Sequence, residues 1–317
     1  MNENQQKLKI LMVDENHAIL TELLAEHFSI EHDYQSTKAD IQHKMKDFHG
    51  LIIRSRFPVD EEFLKASKNL KFIGRVGAGL ENIDLETAKN LGIQCYNAPE
   101  GNRDAVAEHC VGMMLSLMNH FKRCNLQIIK GEWKREENRG EEIKGKTVGL
   151  IGYGNMGKST AKRLSGFGCE VLAYDILPNL GDEFAQQVEM DEIFEKTDIL
   201  SFHLPQTPET IGLLNRSYIE KFSKPFYFLN TARGRNVVTK DLVEALKSGK
   251  IKAAGLDVLE FEKTSFENLT LTDLPEEYQF LLHAENVILT PHVAGWTKES
   301  KQKLAEVIAQ KIIANFA

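Results

Sequence analysis

Thr147-Val-Gly-Leu-Ile-Gly-Tyr-Gly-Asn-Met-Gly157, with Asp175 closing the strand that follows, decides the fold of this 317-residue chain. It reads as a buried strand, a glycine turn, a helix and a second strand ending in an acid. Gly152 permits the tight turn, Gly154 lets backbone approach a pyrophosphate, and Gly157 lets the helix pack closely on the sheet. The N–H groups at the helix start, with its dipole, favour phosphate. Glycine clusters also occur in ordinary turns, so context carries the reading. Val148 to Ile151 precede the glycines, Ala161, Leu164 and Phe167 continue at helical spacing, and Val171-Leu-Ala-Tyr174 runs into Asp175. The stretch predicts a dinucleotide-binding unit, and enough chain precedes it to form a separate one.

Before it, short apolar runs at Ile10–Val13, Leu51–Ile53, Phe72–Val76 and Ile93–Tyr96 predict strands. Helical patterns at Ala18–Phe28, Glu61–Ala66 and Leu85–Leu91 separate them. Strands alternating with helices imply a parallel sheet covered on both faces. Ala105, Val106, Cys110, Met113, Met114 and Leu117 give a wide apolar stripe and predict one long helix from Arg103 to about Ile129, with Gly131 to Lys146 as a polar linker. After the glycine stretch the pattern predicts strands at Ile199–Phe202, Phe226–Leu229, Lys252–Gly255 and Val287–Leu289, a helix at Lys240–Lys247 and a last helix from Lys298 to Phe316. Residues 263–284 read as a long connection with a short helix at Glu276–Leu282. The fold class expected is α/β: two doubly wound parallel-sheet units facing each other across a cleft, with ligands beyond the carboxyl ends of the strands.

Composition narrows the function classes. Apolar residues make up 42% and charged residues 27%, ordinary for a globular protein. A net charge of −7, without a basic stripe, argues against a nucleic-acid partner. The apolar runs are strand-sized, far short of a membrane span, and Met-Asn-Glu-Asn-Gln-Gln at the N-terminus lacks the apolar core of a signal peptide. Cys95, Cys110, Cys124 and Cys169 have no metal-ligand spacing and read as reduced core residues, so the expected location is cytoplasmic and no metal is expected.

Three polar residues fall just after strands of the second unit: Arg233 in Asn-Thr-Ala-Arg-Gly, Glu262 beyond Asp257, and His292 in Thr-Pro-His. Each alone has a plain alternative, as an ion-pair arginine, a solvated acid or a packed histidine. Together at one mouth of the sheet they form a candidate catalytic set. His203 reads as a wall near the cofactor, and His109 as a packing or hydrogen-bonded helix contact.

With these stretches in view the chain resembles the D-isomer-specific 2-hydroxyacid dehydrogenases, most closely their D-3-phosphoglycerate branch in a short form. The matching segments are Arg54-Ser-Arg56, Arg75-Val-Gly-Ala-Gly79, Glu81-Asn-Ile-Asp84, Asn97-Ala-Pro99, Val106-Ala-Glu-His109, the glycine stretch, His203-Leu-Pro-Gln-Thr-Pro208, Asn230-Thr-Ala-Arg-Gly234, Gly255-Leu-Asp-Val258 and Thr290-Pro-His292. They run nearly the full length in the family's order. The resemblance implies a discontinuous flavodoxin-like substrate domain, residues 1–98 plus 292–317, and a Rossmann NAD domain, residues 99–291, with hinges near Asn97–Gly101 and Pro291–Gly295. It implies NAD at Gly152, Gly154, Asn155, Met156, Gly157, Asp175, His203, Leu204, Pro205, Thr207, Thr231, Ala232, Arg233, Asp257 and His292, and substrate at Arg54, Ser55, Arg56, Gly77, Ala78, Gly79 and Asn97. It also assigns the catalytic roles to Arg233, Glu262 and His292. Oxidising a 2-hydroxy acid needs a base for the hydroxyl proton while hydride leaves the same carbon, and histidine, with a reference pKa of roughly 6.5, serves both directions. Glu262 would fix its tautomer. Arg233 would bind the carboxylate and polarise the keto oxygen.

Asp175 suits ribose hydroxyls and repels a 2′-phosphate, so NAD is expected over NADP. Gly77-Ala-Gly79 reads as an anion nest or a plain turn. The Arg54 and Arg56 pair points to 3-phosphoglycerate and phosphohydroxypyruvate in serine synthesis; one arginine alone would serve a carboxylate, leaving glyoxylate, hydroxypyruvate or D-lactate-type reduction open. A non-enzymatic NAD-sensing corepressor would tolerate a slack active site. A formate-type enzyme would not need a carboxylate partner for the histidine. Two departures from the family stand out. Arg235 replaces the usual small residue after Arg-Gly, and the run Leu-Glu-Phe-Glu-Lys after Asp257-Val258 lacks the usual proline, leaving Glu260 as the alternative to Glu262. The chain ends soon after its last helix, so control through a C-terminal regulatory domain is not expected. The wide Arg103–Ile129 stripe predicts a homodimer through that helix.

Overall fold

A computed structural model of the chain describes residues 7–262 and 275–317. Among these, 7–102 and 296–317 form one compact unit, and 103–262 with 275–295 form another.

The first unit alternates β1 (Lys9–Met12), α1 (Ala18–Ala25), β2 (Ser29–His32), α2 (Lys38–Lys44), β3 (Gly50–Ile53), α3 (Glu61–Ala66), β4 (Phe72–Arg75), α4 (Leu85–Asn90) and β5 (Gln94–Tyr96). Its strands pair in parallel in the order β2-β1-β3-β4-β5, the flavodoxin-like order. All four residues of β3 are buried, as a central strand covered on both faces requires. The edge strand β2 is mostly exposed and lacks an apolar signature, which is why neither it nor α2 was read from the sequence. Side chains start the helices: Thr37 and Asp40 form a capping box on α2, Asp60 caps α3 and Asp84 caps α4.

Helix α5 (Pro99–Met118) leads from the first unit's residues into the second's. There follow α6 (Phe121–Ile129), β6 (Thr147–Ile151), α7 (Asn155–Leu164), β7 (Glu170–Tyr174), β8 (Gln186–Gln187), α8 (Met190–Lys196), β9 (Ile199–Phe202), α9 (Arg216–Glu220), β10 (Phe226–Asn230), α10 (Thr239–Ser248), β11 (Ile251–Leu256), α11 (Glu276–His283) and β12 (Val287–Leu289). The seven-stranded sheet is parallel and runs β12-β11-β10-β9-β6-β7-β8. This is the Rossmann order with one further strand, and its direction reverses between β6 and β9. The last helix, α12 (Lys298–Phe316), returns to the first unit, where Ala305, Ile308, Ala309 and Ile312 pack with Ile10, Met12, Ile52 and Phe72. The rest of the expected connection, residues 263–274, lies outside the described residues.

The single helix expected from Arg103 to Ile129 is two helices. His120 takes a left-handed backbone, φ 53°, between α5 and α6. The end of α5 is closed by the following loop: Glu141 N–H donates to the Met118 carbonyl at 3.0 Å, and a Cβ on Gly140 would lie 2.7 Å from that oxygen. Most of the α5 stripe is already covered, since Met113, Met114, Leu117 and Met118 pack with Val148, Leu150 and Leu229 of the sheet.

Candidate active site

The carboxyl ends of β6, β7, β9, β10, β11 and β12 carry the candidate residues of the second unit. After β6, Gly152 has φ 93°, and a Cβ there would lie 2.5 Å from the His203 carbonyl at the end of β9. The two strands flanking the switch point therefore meet backbone to backbone. A Cβ on Gly157 would lie 2.2 Å from the Gly152 carbonyl, so a side chain there would push α7 off the turn. A Cβ on Gly154 would meet only open space. Gly154 and Asn155 are exposed, no side chain caps α7, and no acid sits in its first turn. The N–H groups and positive dipole end of a ten-residue helix thus face outward over a glycine.

Asp175, directly after β7, accepts from Tyr153 N–H at 2.7 Å and from Leu177 N–H at 3.0 Å. Those bonds aim its half-buried carboxylate beside the glycine turn, with acceptor positions to spare for a vicinal diol. Ile176, Leu177, Pro178 and Asn179, which follow it, bring no cation for a 2′-phosphate. The residues fit NAD: a phosphate-facing helix start, close approach at Gly154 and an acid at the ribose position.

At the end of β9, His203 contacts Ser201 Oγ through Nε2 at 3.0 Å. Burial pushes its pKa down to about 4, so the ring is neutral near pH 7. This fits a wall rather than a proton carrier. Leu204 and Thr207 are half-buried and Pro205 exposed; Thr210 Oγ holds their loop by accepting from Thr207 N–H and donating to the Pro205 carbonyl. Behind β10, Thr231 Oγ1 contacts the buried Cys110 at 3.2 Å, and Ala232 N–H donates to Asn230 Oδ1.

Arg233 follows in extended backbone, with its carbonyl accepting from Asn230 Nδ2 at 2.9 Å and its Nη1 donating to the Ala232 carbonyl at 2.7 Å. A Cβ on Gly234 would lie 1.8 Å from the Leu259 carbonyl. The loop that carries Arg233 is therefore pressed directly onto the backbone leading to Glu262, and glycine is required there. Arg235 is exposed.

His292 Nδ1 lies 2.8 Å from Glu262 Oε2, and Glu262 Oε1 accepts from Leu259 N–H at 2.5 Å. Glu260, the other acid open from sequence, instead accepts from Thr239 N–H at 2.8 Å and so caps α10. A carboxylate only accepts, so the 2.8 Å contact places the proton on Nδ1 and leaves Nε2 as the ring's basic nitrogen. The Glu262 side chain is 13% exposed and that of His292 27%, enough burial to strengthen the pair without sealing it from solutes.

His292 has φ 55°, a left-handed conformation that a side chain adopts at a cost of about 1–3 kcal/mol. Asp257 holds it there. Its carbonyl accepts from His292 N–H at 2.7 Å, Oδ1 from Thr290 Oγ1 at 2.5 Å and Val293 N–H at 2.8 Å, and Oδ2 from Ala294 N–H at 2.8 Å. Asp257 is 1% exposed and anchors the loop that presents His292. His109 joins this anchor through Thr290 Oγ1 at 3.1 Å. The anchoring work of Asp257 and the closeness of Gly234 to Leu259 were missed in the sequence, although an acid ending a buried apolar strand is a signal that could have found the first.

In the first unit the arginines divide. Arg56 donates through Nη1 to the Val13 and Asp33 carbonyls at 2.8 and 2.7 Å, and through Nη2 to the Ser36 carbonyl. Most of its guanidinium is engaged in pinning the loops after β1 and β2, so the expected pair reduces to Arg54, with Ser55 half-buried beside it. In the expected nest, Gly77 N–H already donates to the Arg75 carbonyl at 2.8 Å, and a Cβ on Gly77 would run into Arg75 Nη1. Ala78 and Gly79 are half-buried, and Asn97 Nδ2 donates to the Ala78 carbonyl at 2.5 Å. Among the described residues, no group of three or more His, Cys, Asp or Glu could hold a metal ion.

Residues 111–294 match the family described as D-isomer specific 2-hydroxyacid dehydrogenase, NAD binding domain. The chain belongs to that family. It is 36% identical over 282 residues to the D-3-phosphoglycerate dehydrogenase of Archaeoglobus fulgidus, covering 87% of this chain and 51% of that protein. It is 38% identical over 262 residues to the hydroxypyruvate reductase of Thermotoga maritima, covering 83% of each. Among solved structures, the D-lactate dehydrogenase of Aquifex aeolicus complexed with NAD and lactic acid superposes with a TM-score of 0.81 at 27% identity, over 96% of this chain and 94% of that one. The chain thus spans about half the length of the phosphoglycerate dehydrogenase it matches and most of the length of the other two. The relatives reported are named for three different substrates, and the second unit matches the family's NAD-binding domain.

Proposed function

We propose that the chain is an NAD-dependent oxidoreductase that interconverts a D-2-hydroxy acid and its 2-keto acid, with 3-phosphoglycerate and phosphohydroxypyruvate as its substrate pair and a place in serine synthesis. The observation that carries this is the 2.8 Å contact of His292 with Glu262, on a loop locked by Asp257. NAD, when bound along the glycine turn and Asp175, supplies hydride acceptance and donation.

The protein's own residues handle the proton and the charge. His292 takes the hydroxyl proton at Nε2 during oxidation and returns it during reduction. Glu262, fixed at Nδ1, orients the ring and stabilises its protonated form. Arg233 binds the substrate carboxylate and favours negative charge building on the keto oxygen. Asp257 and Gly234 hold those groups at their strand ends.

Arg54 and the Ala78–Gly79 turn favour a substrate with a second anion. The engagement of Arg56 with backbone carbonyls favours a smaller one, and reduction of hydroxypyruvate or glyoxylate is the second reading. The exposed Phe121, Ile128, Ile129 and Trp133, on and just beyond α6, support a homodimer through that face. Four unpaired cysteines suit a reducing cytoplasm.

NADH oxidation with phosphohydroxypyruvate, hydroxypyruvate, glyoxylate and pyruvate tests the choice. A preference of a hundredfold or more in kcat/KM for the phosphorylated acid, about 2.8 kcal/mol, is expected. A flat profile favours the general reductase. Tight NADH binding without any turnover removes the enzymatic reading and restores the sensor.

A further inference from the structure

Arg54 and Trp296, both in the first unit, form a pair the sequence did not announce. Arg54 Cζ lies over the Trp296 ring, 4.8 Å from its centroid. Trp296 is 68% exposed, so core packing does not account for an indole at this position. The backbone of Arg54 is fixed from both sides. Its N–H donates to Asp14 Oδ2 at 2.5 Å, and its carbonyl accepts from Arg75 Nε at 3.1 Å and Asn82 Nδ2 at 3.4 Å. With the main chain held, the ring decides where the long side chain lies. A guanidinium resting on an aromatic face gains cation–π attraction and keeps its N–H groups directed along its own edge. Those are the groups that fork onto a phosphate or carboxylate.

We propose that Trp296 is a specificity-setting positioning residue, which pre-orders Arg54 for the second anionic group of a 2-keto acid substituted at C3. The proposal rests on the dehydrogenase reading of Arg54 given above. Without the ring, Arg54 samples more rotamers and must be ordered by the substrate itself, which weakens binding of a dianionic substrate in particular.

The test compares Trp296→Ala, Trp296→Phe and Arg54→Gln in the full chain at saturating NADH, with phosphohydroxypyruvate and glyoxylate. For Trp296→Ala, the ratio of kcat/KM for the phosphorylated acid over glyoxylate is expected to fall about tenfold, mainly through KM. Trp296→Phe is expected to recover most of the loss, and Arg54→Gln to lower the ratio further. An unchanged ratio in Trp296→Ala, with a lowered one in Arg54→Gln, overturns the role of Trp296 and leaves the reading of Arg54 standing. An unchanged ratio in both, or no turnover of the phosphorylated acid by the unaltered enzyme, overturns the reading as well. A readout without turnover uses the second tryptophan: with Trp133→Phe in place, Trp296 is the sole indole, and 3-phosphoglycerate is expected to change its fluorescence. Fluorescence that does not respond to the ligand contradicts the proposal.

Discussion

Glu260 and Glu262 stand two positions apart in the chain, yet the fold gives them unrelated work, one capping α10 and the other holding His292. Glu262→Gln is expected to lower kcat by about 10²-fold or more, because an amide neither fixes the Nδ1 proton nor stabilises the imidazolium as a carboxylate does. Glu260→Gln is expected to leave the pH dependence of kcat in place and to lower stability by about 0.5–2 kcal/mol through the cap. Steady-state kinetics beside thermal melts separate the two, and the reverse pattern contradicts the assignment. Arg56 gives a parallel case. Its contacts predict that Arg56→Gln loosens the loops after β1 and β2 and lowers the melting temperature, while the preference among substrates stays. A change of preference at constant stability would place Arg56 back among the substrate residues. Spacing showed that Arg233, Glu262 and His292 follow strands. It could not show which acid turns inward, because that depends on Gly234 pressing one loop onto Leu259, nor that three backbone carbonyls lie within reach of Arg56.

At the scale of elements, the glycine stretch was legible because each glycine serves a different need: Gly152 and Gly157 lie against the His203 and Gly152 carbonyls, and Gly154 leaves open space at the helix start. Central strands were legible because burial on both faces leaves an unbroken apolar run. The edge strands β2 and β8 were not, since exposure removes that signature. Nor was the break at His120, which is set by a loop arriving from 140–141 rather than by any breaker in the helix itself. That loop carries a testable ion cluster. Burial alone would raise the Glu141 pKa, but bonds from Lys146, Lys252 and Tyr227 outweigh it and hold the carboxyl far down, at about 2. A carboxyl depressed in the folded state stabilises above its ordinary pKa, and that stability is lost as pH falls from about 4.5 towards 2. Glu141→Gln is therefore expected to cost about 1–2 kcal/mol at pH 7, after discounting for partial exposure, and nearly nothing at pH 2. Urea unfolding at the two pH values checks this; a cost that persists at the lower pH contradicts it.

For the whole molecule, two parallel sheets were anticipated from alternating strand and helix patterns, to which the structure adds the edge strands β2 and β8 to make five and seven strands, and the chain's membership of its family follows from residues 111–294. The proposed homodimer now rests on the far end of the Arg103–Ile129 stretch that suggested it, and on Trp133 just beyond it. The α5 stripe is consumed within the chain, and the exposed apolar side chains lie on α6 and at Trp133. Ile129→Lys together with Trp133→Glu is expected to yield a monomer in light scattering at micromolar concentration, and a dimer that persists puts the interface elsewhere.

The most direct test of the catalytic proposal is stopped-flow mixing of the His292→Asn variant with NADH and a 2-keto acid. Asparagine keeps a polar group of similar size but cannot exchange the proton. NADH affinity is expected to stay near that of the unaltered protein, while the rate of NADH oxidation falls by about 10²–10⁴-fold. Oxidation within a few-fold of the unaltered rate would show that His292 is not the proton carrier.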